Sequence, residues 1–212
     1  MTIVNAMTLP VGYQYMTCTI IPIAARRAKM AEDWKMLKTI LVATDGSDHA
    51  RKALLLASDL AAKYDARLVL THVLLSNARS ETLRALANRR GLPKRLRDLL
   101  ETYEVDFYKE YAAAGAESGF IPIPPPRELV EAIGQQIIDR AEKIAAKAGV
   151  KKTTTVMVQG DPAEVILDLA ASNKANMIVL GSRGLSDFKG LFLGSVSHKV
   201  SAQASCSCVT VK

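Results

Sequence analysis

Short apolar runs alternate along this chain with stretches whose apolar residues recur every three or four positions. Thr39-Ile40-Leu41-Val42-Ala43-Thr44 is a continuous apolar run stopped by Asp45-Gly46-Ser47. That pattern predicts a buried strand ending in a turn. Over the next segment Ala50, Ala53, Leu54, Ala57, Leu60 and Ala61 fall at helical spacing up to Lys63, with Ser47 or Asp48 as the cap. Ala66 to Val73 reads as a second strand. Strand, helix, strand in this order predicts parallel pairing through a right-handed crossover.

The pattern then breaks. Residues 76–126 are polar and basic, then mixed. Arg79 to Leu100 reads as helix with a break near Gly91-Leu92-Pro93, and Leu99 to Ala114 as another. Gly115 to Gly119 and Pro122-Ile123-Pro124-Pro125-Pro126 read as loop or extended linker. The whole stretch reads as a helical excursion after the second strand, packed at or near the mouth of the sheet.

Regularity returns at Glu128. Leu129 to Ala148 forms an amphipathic pattern with Val130, Ile133, Ile137, Ala141, Ile144 and Ala148 on one stripe, closed by Gly149. Thr153 to Val158 is a third strand. Gly160-Asp161-Pro162 opens a helix to about Ser172, with Asp161 as cap, Pro162 in the first turn, and Val165, Ile166, Leu169 and Ala170 buried. Met177 to Leu180 is a fourth strand. A helix from Ser195 to Ala204 leads to a fifth, Cys208 to Val211. Strands alternating with helices throughout define a doubly wound, Rossmann-like α/β domain.

The candidate chemistry lies after the fourth strand. Gly181 and Gly184 follow the apolar run directly, and Gly194-Ser195 follow after nine further residues. Glycine permits positive φ and lets main chain approach an anion with no Cβ in the way. A helix start offers unpaired N–H groups and a partial positive charge. The spacing therefore points to a phosphate-holding loop and to a nucleotide as ligand. In open parallel sheets ligands bind past the carboxyl ends of the strands where the strand order reverses. Asp45, Val73 and Gly181 stand at three such ends, and they surround one crevice if the first and fourth strands are neighbours.

Composition narrows the alternatives. The 212 residues suffice for one sizeable core and carry a net charge of +7. Much of the excess is local: Arg79, Arg84, Arg89, Arg90, Lys94, Arg95 and Arg97 face the single acid Glu81 before Asp98. Such a run suits a solvated helix face or contact with a protein partner, and nucleic acid is not expected. Cys18, Cys206 and Cys208 form no C-x-x-C pair, and His49, His72 and His198 are scattered, so neither a disulfide framework nor a metal cluster is indicated. His72 reads as a core residue. A reducing cytoplasm is the expected compartment. No run reaches a membrane span. Met1 to Met30 carry no acid, and Arg26, Arg27 and Lys29 follow the apolar run Ile20-Ile21-Pro22-Ile23, the reverse of a secretory signal. Residues 1–37 are expected to be a poorly ordered tail ahead of a domain over 38–212, with Met30 or Met36 as the working start.

Four pieces, in order, resemble the universal stress proteins of the UspA-like type. Lys38 to Ser47 resembles the family's first strand and acidic turn. Leu70-Thr71-His72-Val73 resembles the end of its second strand, and Gly160-Asp161-Pro162 the turn before its third helix. Gly181-x-x-Gly184, nine residues, then Gly194-Ser195 has the spacing of the signature in its ATP-binding branch. The resemblance covers residues 38–75 and 128–212. It departs at Cys206-Ser207-Cys208, where members carry a proline, and at Ala43, where close relatives carry another.

What the resemblance implies is a five-stranded parallel sheet of order 3-2-1-4-5 with ATP at the switch point. Ala43 and Thr44 would line the adenine pocket, Asp45 would sit by the ribose, and Val73 would offer main-chain groups to the adenine ring. Gly181, Arg183 and Gly184 would hold the phosphates from one side, and Gly194, Ser195, Val196 and Ser197 from the helix start, with Leu180 also counted among the nucleotide-binding residues. Mg2+ would bridge the phosphates. The family's habit also implies a homodimer through the final edge strand, and such strands are templates for pairing.

No Ser–His–Asp set or activated nucleophile is visible near the loop, so hydrolysis is expected to be slow or incidental. The expectation is a regulator of the stress response that reads ATP through a conformational or oligomeric change. One alternative is a nucleotide-independent adaptor that uses the basic excursion as its contact surface. The other is an ATP-cleaving enzyme. Thr44-Asp45-Gly46-Ser47 counts against the latter, because ATP pyrophosphatases carry Ser-Gly-Gly-x-Asp-Ser there.

Overall fold

The computed structural model describes residues 37–74, 83, 93–114, 124–185 and 194–212, with the backbone alone over 105–114. The five strands are β1 (Thr39–Ala43), β2 (Arg67–Val73), β3 (Thr153–Val158), β4 (Met177–Gly181) and β5 (Ser207–Val211). Between them lie α1 (Asp48–Tyr64), α2 (Lys94–Ala114), α3 (Arg127–Lys147), α4 (Pro162–Ser172) and α5 (Ser195–Gln203). All strand pairs are parallel, and the order is β3-β2-β1-β4-β5. The sheet therefore reverses direction of growth at β1, with β2 on one side and β4 on the other. Asn176 fastens the start of β1 to the start of β4: its Oδ1 accepts from Lys38 N at 2.8 Å and Thr39 N at 3.0 Å.

Each strand offers one side chain in two to each face, so burial on both faces needs continuous apolar runs. Ile40, Val42, Leu68, Leu70 and Val179 pack under α1 and α3, against Ala53, Leu54, Ala57, Ala141 and Ala145. Leu41, Val69, Ile178 and Leu180 pack on the other face against Ala163, Ile166 and Ala170 of α4 and Val200 of α5. Small residues on α1 let it lie close to the sheet. Its ends follow local chemistry: the Ser47 hydroxyl accepts from Ala50 N at 3.2 Å, and Lys63 stands in its last turn. The surface ion pair Arg51–Asp48, with both side chains more than half exposed, adds little to this burial.

Several expectations need adjustment. The excursion does not divide into helices ending at Leu100 and starting at Leu99. One helix, α2, runs through both, because no glycine or proline interrupts residues 94–114; Pro93 stands before it, and its carbonyl accepts from Leu96 N and Arg97 N. On α3 the buried face is Leu129, Val130, Ile133, Gly134, Ile137, Ile138, Ala141 and Ala145, whereas Ala148 is exposed. The stripe turns because the N-terminal half of α3 serves a separate apolar cluster with Leu83, Leu100 and Tyr103. Burial in this cluster raises the Tyr103 phenol above its ordinary pKa. Leu60, Val165 and Leu169 are half-buried rather than core. Gly149, at φ +84°, closes α3 as read: Gly149 N donates to Ala146 O and Val150 N to Ala145 O. Residues 1–36, and the expectations placed on them, lie outside the described residues, as do those for Arg79, Arg84, Arg89 and Arg90. Among the described residues no helix is long and apolar enough to cross a membrane.

Candidate functional site

The turn after β1 is built from its own side chains. Thr44 is buried, and its Oγ1 accepts from Gly46 N at 3.3 Å. Gly46 takes φ +81°, which bends the chain into the start of α1. Asp45 Oδ1 accepts from Ser47 N at 2.9 Å, an Asx turn. The other carboxylate oxygen reaches across the crevice: Oδ2 accepts from Leu185 N at 2.9 Å. Asp45 thus joins the turn after β1 to the loop after β4.

The glycines of that loop have different duties. A Cβ on Gly181 would lie 2.7 Å from Ala50 N and 2.8 Å from the His49 carbonyl carbon. Its glycine is required by the close approach of α1, whose first turn sits over the end of β4. A Cβ on Gly184 would lie 2.7 Å from Asp45 Oδ2, so that glycine lets the loop press against the carboxylate. Gly194 is roomier, with Ser182 O at 3.4 Å as the nearest atom to a Cβ there. Among the described residues the positive-φ glycines are Gly46, Gly149 and Gly160, so Gly181 and Gly184 are needed for the missing Cβ rather than for a left-handed backbone.

The glycine loop and the start of α5 meet. Gly194 N donates to Ser182 O at 2.7 Å, and the Ser197 hydroxyl lies 2.9 Å from both Ser182 O and Gly194 O. Ser182 N in turn donates to Val211 O at 2.7 Å. Ser182 and Ser197 are both buried. The Ser197 hydroxyl is therefore committed to the loop, and what it leaves for a ligand is its main-chain N–H. Gly194 is the N-cap of α5 and supplies no side-chain cap, in contrast to Ser47 at α1 and Asp161 at α4. The first N–H groups of α5 have no intrahelical acceptor, as in any helix start. Ser195 is exposed, Val196 half-buried against α4. Arg183 is half-buried next to this junction.

Val73 faces the same crevice from the other side. Arg67 N donates to Lys38 O and Thr71 O accepts from Thr44 N, so odd-numbered residues of β2 turn their main-chain groups toward β1. Val73 belongs to that series but lies past the last residue of β1. Its N–H and C=O point to where β1 has already ended. His72, buried, donates from Nδ1 to Thr44 O at 2.8 Å and holds this corner, a core role as read. Ala43 and Leu180 side chains pack toward α4 and α5, which leaves main chain as the part they can offer a ligand.

Two further residues join the candidate site. Ser182 lies inside the glycine loop, where the sequence reading gives it no role of its own; it is the hub of three hydrogen bonds. Leu185 carries the N–H on Asp45, and the signal for it was an apolar residue directly after the loop glycine. Lys199 is turned away: its Nζ lies 3.3 Å from Asp161 Oδ1 and 3.1 Å from Glu164 Oε1. No group of three or more His, Cys, Asp or Glu residues able to hold a metal stands together among the described residues.

A five-stranded doubly wound sheet with loops gathered past the carboxyl ends of β1, β2 and β4 defines an α/β protein whose candidate site lies at the switch point. Residues 36–212 match the Universal stress protein family, and the chain belongs to it. It is 33% identical over 183 residues to the universal stress protein in the QAH/OAS sulfhydrylase 3′ region of Thermus aquaticus, covering 84% of this chain and 100% of that one. It is 32% identical to universal stress protein YxiE of Bacillus subtilis, again over 84% and 100%. The solved structure of universal stress protein UspA from Lactobacillus plantarum superposes with a TM-score of 0.54 at 21% identity, over 83% of this chain and 98% of that one.

Proposed function

We propose that this chain binds ATP, with Mg2+, at the crevice between β1 and β4 and regulates a stress response through a nucleotide-linked change of conformation or oligomeric state. The observation that carries the reading is the 2.7 Å bond from Gly194 N to Ser182 O, which sets the glycine loop beside an uncapped helix start. Phosphate oxygens suit that helix start, where main-chain N–H groups and the helix dipole both favour an anion. Val73 would give the base a main-chain donor and acceptor. Asp45 would use lone pairs not taken by Ser47 and Leu185 for ribose hydroxyls. Arg183 would add a charge-assisted contact to phosphate. Mg2+ would be held by phosphate oxygens and water, its usual ligands beside nucleotides. A universal stress protein from Archaeoglobus fulgidus solved in complex with dAMP shares the fold, with a TM-score of 0.52 at 17% identity over 84% of this chain and 99% of that one.

The homodimer is part of the proposal, with β5 as the seam. A nucleotide-independent adaptor is the second reading; the exposed cations Lys94, Arg95 and Arg97 on α2 favour it, although Arg95 is paired with Glu128 at 3.2 Å. Calorimetry with ATP and adenosine separates the two. ATP is expected to bind at least about tenfold more tightly than adenosine, a difference of about 1.4 kcal/mol carried by phosphate. Gly194→Val, whose branched side chain would stand at the helix mouth, should remove that preference while leaving the circular dichroism unchanged. Equal binding of ATP and adenosine by the native protein would overturn the site.

A further inference from the structure

The segment Ser182-Arg183-Gly184-Leu185 is held at both ends by different parts of the molecule. At one end Ser182 O takes the N–H of Gly194 and faces the Ser197 hydroxyl. At the other, Leu185 N donates to Asp45 Oδ2 while the Leu185 side chain packs against the cluster of Leu83, Leu100, Tyr103, Leu129, Ile133 and Ile137. That cluster is distinct from the two that cover the faces of the sheet. Leu100 and Tyr103 belong to α2, the helix of the excursion. Among the described residues, Leu185 therefore links the glycine loop to the excursion's cluster, touching the crevice with its main chain and the cluster with its side chain.

The geometry leaves little slack in this link. Gly184 passes so near the carboxylate that a single added carbon would lie 2.7 Å from Asp45 Oδ2. A shift of the α2 cluster that carried Leu185 with it would break the Leu185–Asp45 bond or drag the carboxylate along. The carboxylate is also tied to Ser47 N, at the cap of α1. Close-packed side chains pass on such a displacement rather than absorb it.

We infer that the excursion regulates the site: docking of the α2 cluster on Leu185 sets the position of the glycine loop and of Asp45, and so the affinity for nucleotide. The regulatory consequence rests on the nucleotide reading, while the mechanical link does not. Linkage makes the effect reciprocal, so a nucleotide that prefers the docked loop must stabilise α2 by the same factor.

Hydrogen exchange on the full chain tests both parts. Without nucleotide, Asp45→Ala should speed exchange of α2 amides in residues 95–104 while the amides of β1 and β4 keep their protection. Unchanged α2 exchange, or an equal rise in α2 and the strands, would overturn the mechanical link. In the native protein, ATP should slow the same α2 amides, and Leu185→Ala and Leu100→Ala should each weaken ATP binding at least about fivefold, the lower end of typical couplings. ATP binding that leaves α2 exchange unchanged, or affinity unaltered in both variants, would overturn the regulation. If the native protein binds no ATP, the nucleotide reading fails and the Asp45→Ala exchange still decides the link.

Discussion

At the scale of single residues, the same amino acid does different work a few positions apart. Gly181 exists for α1, Gly184 for Asp45, and Gly194 opens a helix with room around it. Gly181→Ala should therefore destabilise the protein by about 1–3 kcal/mol with no ligand present, since the new carbon meets backbone atoms of His49 and Ala50 that cannot swing aside. Thermal unfolding of the nucleotide-free protein measures this. An unchanged melting temperature would show that α1 yields. The glycine spacing located the loop in the sequence but could not divide these duties. Each depends on an atom brought from a remote segment: Leu185 and Asp45 are 140 positions apart, Ser197 and Ser182 fifteen.

At the scale of elements, local chemistry was readable wherever neighbours in sequence supply the partner. Asp161-Pro162 is such a case. Asp161 Oδ1 accepts from Ala163 N at 3.1 Å and Glu164 N at 3.0 Å, and the Glu164 N–H above all holds its carboxyl below the ordinary aspartate range, with Lys199 assisting. A carboxyl whose pKa is depressed by folding contributes stability above its unfolded pKa and loses it as pH falls through the folded value. Asp161→Ala should thus lower the melting temperature at neutral pH, and the gap from the native protein should close as pH drops below about 4, the unperturbed aspartate range. A gap that persists in acid would assign the effect to packing. Helix α2 was less legible. Its cations Lys94, Arg95 and Arg97 are exposed as read, but Glu104 is buried, and the inner residues Leu100 and Tyr103 serve a cluster with α3 whose members come from distant stretches.

At the scale of the whole molecule, the two edges of the sheet are β3 and β5. Val211 O accepts from Ser182 N, so Val211 and, by alternation, Val209 turn their main-chain groups to β4, while Thr210 turns its N–H to the open edge. Truncation ahead of β5 would also remove Val209 and Val211, which pack against the core, and would confuse dimerisation with folding. Thr210→Pro is the cleaner test of the proposed dimer, since it deletes an outward N–H and no bond to β4. Light scattering should then report monomer at a melting temperature near that of the native protein; a persistent dimer would move the seam elsewhere. The sequence by itself determined the alternation of strands and helices, their turns and caps, and the family, because these rest on periodicity and on partners a few residues away. Only the tertiary structure decided which glycine serves packing, that the Ser197 hydroxyl is spent on Ser182, and that Leu185 ties the excursion to Asp45. Those outcomes depend on which remote atoms the folded chain brings within hydrogen-bonding or van der Waals distance, and no local pattern encodes that.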